Sequence, residues 1–161
     1  MKTIYLIRHA EAAAKQNGCS DYQRPLTAMG VVQADKLGTY LNSAAVRFDR
    51  IVSSHAARAL QTARGIAKMT DFPEAKILIE QSIYAGNLDS YLNIIFSQPD
   101  EISHLAFVGH NPHITGLANY LMKEEKFFLT PAAMAAFKFS TDKWTDICLA
   151  AQELFLVWPS L

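Results

Sequence analysis

The sequence carries no surplus of charge of either sign. Lys and Arg number 15 and Asp and Glu 15 in a chain of 161 residues. A nucleic-acid-binding face needs a basic footprint, so the balance argues against one, and equally against a polybasic membrane patch. It leaves room for a small basic site inside a neutral protein. Cysteine is scarce, with only Cys19 and Cys148. Two distant cysteines and no C-x-x-C make no disulfide framework, and reduced thiols fit a cytoplasmic protein. No apolar run approaches the roughly 18 residues that span a bilayer. The apolar stretch 4–7 is cut short by Arg8, too early for a secretion signal. Walker-type glycine loops, G-x-G-x-x-G and H-x-x-x-H are absent as well, which removes those routes to nucleotides and metals.

What is present is apolar and ordered. Half the residues are hydrophobic, and residues 1–161 read as a single domain with a sizeable core. Residues 3–7 form a short run of β-forming residues, a buried-strand pattern. Residues 12–25 are polar and irregular, with Asn17-Gly18 as a turn signal. Thr27 is placed to cap a helix running to about Ser43, with Leu37, Tyr40 and Leu41 on one face. Further strands are predicted at 49–52, 76–79, 105–108, 135–139 and 153–158. Further helices are predicted at 56–69, from Asn87 to about Ser97, and beyond Pro112, where Ile114, Leu117, Ala118 and Leu121 share a face. The alternation predicts a three-layer α/β/α sandwich with a mostly parallel sheet. The last two strands lie close in sequence, so one sheet edge is expected to run antiparallel.

Ligands of open parallel α/β sheets sit beyond the carboxyl ends of the strands. The first strand ends in Arg8-His9, the second in Ser53-Ser54 with Arg58 shortly after, and the fourth in Gly109-His110-Asn111. Taken singly, each residue has a structural explanation: a cap, a turn, a solvated helix cation. Their convergence on one sheet edge is what points to chemistry. Two guanidiniums and nearby helix N-termini suit phosphate oxygens. A neutral histidine among them, with one ring nitrogen held as donor, could attack phosphorus. A second, protonated histidine could steady the charge on the transferring group. A metal site is the rival, but the arginines would repel a cation. No metal and no cofactor are expected.

At these residues the chain resembles the histidine phosphatase superfamily, also called phosphoglycerate mutase-like. Arg8-His9-Ala10-Glu11 is similar to its RHG signature. Arg24-Pro25-Leu26-Thr27, with Gly30 and Gln33-Ala34 behind it, resembles the RPLT segment. Ser53-Ser54, Arg58-Ala59 and Gln61-Thr62-Ala63 resemble the SS-x-x-x-RA-x-QTA segment, and Gly109-His110-Asn111-Pro112 the second histidine motif. The short chain looks like the small branch that includes the phosphohistidine phosphatase SixA. The resemblance implies a phosphoglycerate mutase-like fold and metal-independent hydrolysis through phosphorylated His9. It implies a phosphoryl cradle of Arg8, Arg58 and His110. It also gives Thr27 a capping role and Arg24 a pairing with Asp21.

One departure bears on substrate. Larger members carry a glutamate general acid after the third strand, where this chain reads Ile79-Glu80-Gln81-Ser82-Ile83-Tyr84. Anchored on Tyr84, the acid position falls on Gln81. Either the register slips and Glu80 serves, or the site has no strong acid. The expected substrate is then phosphohistidine on a signalling protein. The alternatives are a small phosphorylated metabolite, or phosphate binding without turnover. His113 and His55 are expected to face solvent, His55 near the site rim, and His104 to lie at the far end of the sheet. The aromatic stretch 126–129 is expected in the core.

Overall fold

The computed structural model describes residues 1–123 and 128–159. Its six-stranded sheet has the order β3-β2-β4-β1-β5-β6. The strands are β1 (Lys2–Arg8), β2 (Arg50–Ser54), β3 (Leu78–Glu80), β4 (His104–Gly109), β5 (Met134–Phe139) and β6 (Gln152–Trp158). The pairs β3/β2, β2/β4 and β4/β1 are parallel, and β5 runs antiparallel to both β1 and β6. The sheet is therefore mixed, with the antiparallel edge where the close spacing of the last two strands placed it.

Period-two alternation divides the core between the two faces. Ile4 and Leu6 of β1 join Leu105 and Phe107 of β4 in one apolar cluster. The cluster is completed by Tyr91, Leu92 and Ile95 of α4 (Leu88–Phe96) and Ile114, Leu117 and Leu121 of α5 (His113–Met122). Tyr5, Ile7, Ala106 and Val108 face the other way. They pack with Leu37 and Leu41 of α1 (Ala28–Ser43) and Ala59, Ala63 and Ile66 of α2 (Ala57–Met69). The expected α/β/α layering follows from these two clusters. Leu129 is buried and Phe128 exposed, while Lys126 and Phe127 of the aromatic stretch lie outside the described residues.

Two local features differ from the sequence pattern. The third strand begins later, at Leu78, because residues 74–76 after Pro73 close a 3-10 turn, with the Lys76 N–H on the Pro73 carbonyl and the Ile77 N–H on that of Glu74. A four-residue helix, α3 (Ser82–Ala85), follows it, too short to show any periodicity.

Helix α1 is fixed at the exit of β1. The Thr27 hydroxyl oxygen accepts from the Gly30 N–H at 2.9 Å, and the Thr27 N–H donates to the Glu11 carbonyl at 3.0 Å. A Cβ on Gly30 would stand 2.1 Å from that carbonyl oxygen. Glycine is needed there for close approach of two backbones, which is what keeps the first turn of α1 against the segment leaving the central strand. Gly30→Ala is therefore expected to cost about 2 kcal/mol or more in denaturant unfolding. Gly116→Ala, in α5 with nothing near its added methyl, should gain roughly 0.5–1 kcal/mol. Equal effects at the two positions would contradict this packing.

Candidate active site

Parallel strands deliver their carboxyl ends to one edge. Arg8 ends β1 opposite Gly109 of β4, and Ser53 of β2 lies opposite Val108. The chain leaves β1 with the His9 N–H donating to the Gly109 carbonyl at 3.0 Å, which holds His9 beside the end of β4. His110 follows β4 directly and Arg58 sits in the first turn of α2. Arg8, His9, Arg58 and His110 thus meet at one cavity of about 370 Å³, with Arg24 and Asn111 also on its wall. Gly109 is required by packing rather than by a turn, since an added Cβ would stand 2.2 Å from the Tyr91 hydroxyl.

The tautomer of His9 follows from its partners. Its Nδ1 lies 2.7 Å from the Ala10 carbonyl oxygen. A carbonyl only accepts, so Nδ1 carries the proton. The Arg58 Nε–H donates to His9 Nε2 at 3.3 Å, so Nε2 presents its lone pair. Burial is the main reason that the His9 pKa falls to about 4. The Ala10 carbonyl opposes the fall, while Arg58, Arg8 and Arg24 add to it. Burial and the arginines favour a neutral His9 imidazole, whose Nε2 lone pair accepts from a guanidinium.

Arg58 is almost wholly buried, and all three of its guanidinium nitrogens have partners. Besides His9, it donates from Nη1 to the Asp21 carbonyl at 2.8 Å and from Nη2 to Asp21 Oδ2 at 2.9 Å. Arg8 donates from Nη1 to the Leu129 carbonyl at 3.0 Å, and its Nε is buried without a partner. Neither His9 nor Arg8 is paired with a carboxylate among the described residues. Glu11 is the one carboxylate on the cavity wall, against three arginines, so the cavity favours an anion.

His110 stands beside His9 with ring centroids 5.0 Å apart, and its Nε2 lies 2.8 Å from the Ser54 hydroxyl. Burial pushes its pKa down to about 3, with His9 and Arg58 lowering it further and Asp21 opposing. Burial thus favours the neutral ring, and a protonated second histidine needs an anion beside it. The His110 Nδ1 is buried and has no hydrogen-bond partner.

The sequence profile of the histidine phosphatase superfamily (branch 1) matches residues 4–83. The chain belongs to the histidine phosphatase superfamily. Over nearly its whole length it follows the SixA-like members. It is 26% identical to SixA from Nakamurella multipartitia, covering 97% of this chain and 94% of that one with a TM-score of 0.79. It shares its fold with a protein histidine phosphatase SixA complexed with tungstate, at 19% identity, 96% and 95% coverage and a TM-score of 0.82. Curated relatives match in part. An uncharacterised chloroplastic protein of Arabidopsis thaliana is 32% identical over 119 residues, 68% of this chain and 54% of that protein. The mitochondrial serine/threonine-protein phosphatase PGAM5 of Xenopus tropicalis is 42% identical over 65 residues, 40% of this chain and 23% of that protein. The chain thus spans about a half and a quarter of these relatives.

Other residues of this superfamily member were less legible. Glu80 ends β3, half-buried and in register with Ser54, and is not among the residues lining the cavity. Gln81 is exposed. The carboxylate on the wall is Glu11, whose Oε1 accepts from the Thr27 hydroxyl at 2.7 Å. Its signal was its place two residues after His9. Asn111 donates to the Leu129 carbonyl at 2.9 Å, the same oxygen that Arg8 uses. Asp21 does pair with Arg24, at 2.8 Å, but also with Arg58 and with the Tyr84 hydroxyl. His55 is half-buried rather than solvent-facing, with its ring against Tyr84 and Tyr22. His113 is also half-buried. His104 lies at the far end of the sheet, bonded to the Tyr5 hydroxyl.

The lowered histidine pKa values can be measured in the free superfamily member. In an NMR titration His9 and His110 should stay neutral at pH 6 and charge only near pH 4 and below. Both fold with values below the ordinary 6.5, so the unfolded chain binds more protons, and stability falls as pH drops from about 6.5 toward 4. Either ring titrating near 6.5 in the folded protein would contradict the geometry.

Proposed function

We propose that the protein is a phosphatase acting through a phosphohistidine intermediate, with phosphohistidine on a protein as substrate. The observation that carries this is the fixed tautomer of His9, whose unprotonated Nε2 faces Arg58 in a cation-walled cavity. In the first step the Arg58 Nε–H hydrogen bond passes from Nε2 to a phosphoryl oxygen, the freed Nε2 lone pair attacks phosphorus, the bond to the leaving group breaks, and its electron pair departs with that group. In the second step water attacks phosphorus, the P–Nε2 bond breaks, and phosphate leaves. Arg8 and Arg58 neutralise the phosphoryl oxygens throughout. His110 is neutral when the site is empty; a phosphate dianion beside it raises its pKa, so it can take up a proton on binding. We read the reaction as metal-independent, because three arginines on the cavity wall would repel a cation.

The leaving group selects the substrate class. An alkoxide is strongly basic and needs a proton to depart, whereas a phosphohistidine leaves through a less basic nitrogen. General acid help is commonly worth ~10²–10⁴-fold. Glu80 is not at the cavity wall, and one oxygen of Glu11 is already engaged by Thr27. A site so built favours phosphoramidates over alkyl phosphates, and the SixA likeness supports the same reading. The intact nucleophile speaks against a binding module, which needs no such group. We place the protein in the cytoplasm, working as one domain across residues 1–161. Its described part contains no helix long and apolar enough to cross a membrane. Its partner is then a phosphorylated protein, with no nucleic acid.

The test compares hydrolysis of a phosphohistidine-bearing protein domain with a panel of sugar and aryl phosphates. A preference for phosphohistidine that disappears in His9→Ala is expected, with Glu80→Gln within about threefold of wild type. Faster turnover of an alkyl phosphate, lost in Glu80→Gln, would overturn the substrate class. Turnover that survives in His9→Ala would overturn the mechanism.

A further inference from the structure

Resting on that reading, we infer that Asp21 is a positioning residue, a fixed counter-anion that orients Arg58 against the nucleophile. Asp21 lies in the irregular stretch between β1 and α1, in a single 3-10 turn, Asp21–Gln23. The turn is closed on itself, because Gln23 accepts from the Ser20 N–H at 3.0 Å. Asp21 engages three side chains from three parts of the chain. Oδ1 accepts from Arg24 Nε at 2.8 Å, and Oδ2 accepts from Arg58 Nη2 at 2.9 Å and from the Tyr84 hydroxyl at 2.7 Å. Its main-chain carbonyl takes Arg58 Nη1 at 2.8 Å. Arg24 in turn ties the turn to the exit of β1 through the Ala13 carbonyl, at 3.0 Å.

A guanidinium is a rigid planar fork. With Nη1 and Nη2 both held by Asp21, the direction of the remaining nitrogen is set, and Nε–H points at His9 Nε2. The residue that fixes the aim of Arg58 is therefore outside the cavity and outside every strand end. Asp21 is not an acid in this scheme. The Tyr84 hydroxyl, followed by Arg58 and Arg24, holds its carboxyl far below the usual carboxylate range, so it stays an anion at working pH.

This arrangement has a consequence that a merely structural aspartate would lack. Removing the anion takes no cation from the cradle. Arg58 keeps its charge and loses the group that neutralises it, so phosphate binding is preserved or tightened. What is lost is alignment at the nucleophile, and misplacement at a reacting centre costs rate.

Asp21→Ala and Asp21→Asn are to be compared with wild type in three measurements. These are single-turnover phosphorylation of His9 by phosphoramidate, binding of inorganic phosphate by calorimetry, and the Arg58 Nε–H resonance, assigned with Arg58→Lys. Asp21→Asn keeps the shape and some of the hydrogen bonds, so it guards against loss of fold in the alanine variant. Phosphorylation is expected to slow at least about tenfold in Asp21→Ala and less in Asp21→Asn. Phosphate affinity should stay within about threefold of wild type or improve. The Nε–H resonance, protected in wild type, should be lost in Asp21→Ala. A transfer rate within twofold of wild type, or rate and phosphate affinity falling together, overturns the positioning role while the phosphatase reading stands. If wild type transfers nothing to His9, the phosphatase reading fails. The Nε–H resonance then decides alone, and its persistence in Asp21→Ala overturns the inference.

Discussion

The bond between His9 Nδ1 and the carbonyl of its own neighbour, Ala10, is the constraint on which the site depends. It costs the protein no second side chain, and it fixes both the tautomer and the ring plane. Were Nδ1 bonded to a carboxylate instead, the ring would gain a reason to be protonated, and Nε2 would lose its lone pair. A carbonyl holds the proton on Nδ1 without offering a full negative charge. Burial and the surrounding arginines then keep the ring neutral. The sheet serves this bond: β1 delivers His9 from between β4 and β5, the two strands that hold it on either side.

The charges around that histidine are arranged so that an anion is missing. Arg8 is held by a carbonyl, His110 by a hydroxyl, and the face of Arg58 nearest the nucleophile by an imidazole. Each of these partners is neutral, so the positive charge stays available to a phosphoryl group. Asp21 takes the outer two nitrogens of Arg58, Nη1 with its main-chain carbonyl and Nη2 with its carboxylate, and leaves the third inward. The same logic applies to the buried, unpartnered Arg8 Nε and His110 Nδ1. Buried polar atoms without partners are costly in a fold, and these two belong to residues that line the cavity.

Arg8, His9 and His110 were legible because they mark abrupt ends of apolar runs, and Arg58 because it follows shortly after the Ser53-Ser54 strand end. Arg8-His9 follows Ile4 to Ile7, and His110 follows Leu105 to Val108, so strand ends and site residues announce one another. The two-faced core was legible for the same reason, since the strands alternate and the helices repeat at their own period. Asp21 was half legible. Its local partner Arg24 is three residues away, but Arg58 and Tyr84 are 37 and 63 residues away, and no spacing in a single sequence discloses that convergence. Whether Glu80 reaches the site was illegible because it depends on which side chains line the cavity, and the third strand starts two residues later than its pattern suggested. The charge state of His110 was illegible because its sequence neighbours say nothing about burial, the largest influence on it.

The measurement that tests the account most directly is the site of covalent phosphorylation. The protein is mixed with a radiolabelled phosphohistidine domain, quenched within a single turnover, digested and mapped. The account requires an acid-labile, base-stable phosphate on Nε2 of His9, with none on His110, His55 or His113. Label on any other residue, or steady hydrolysis with no labelled protein at any time, would contradict it.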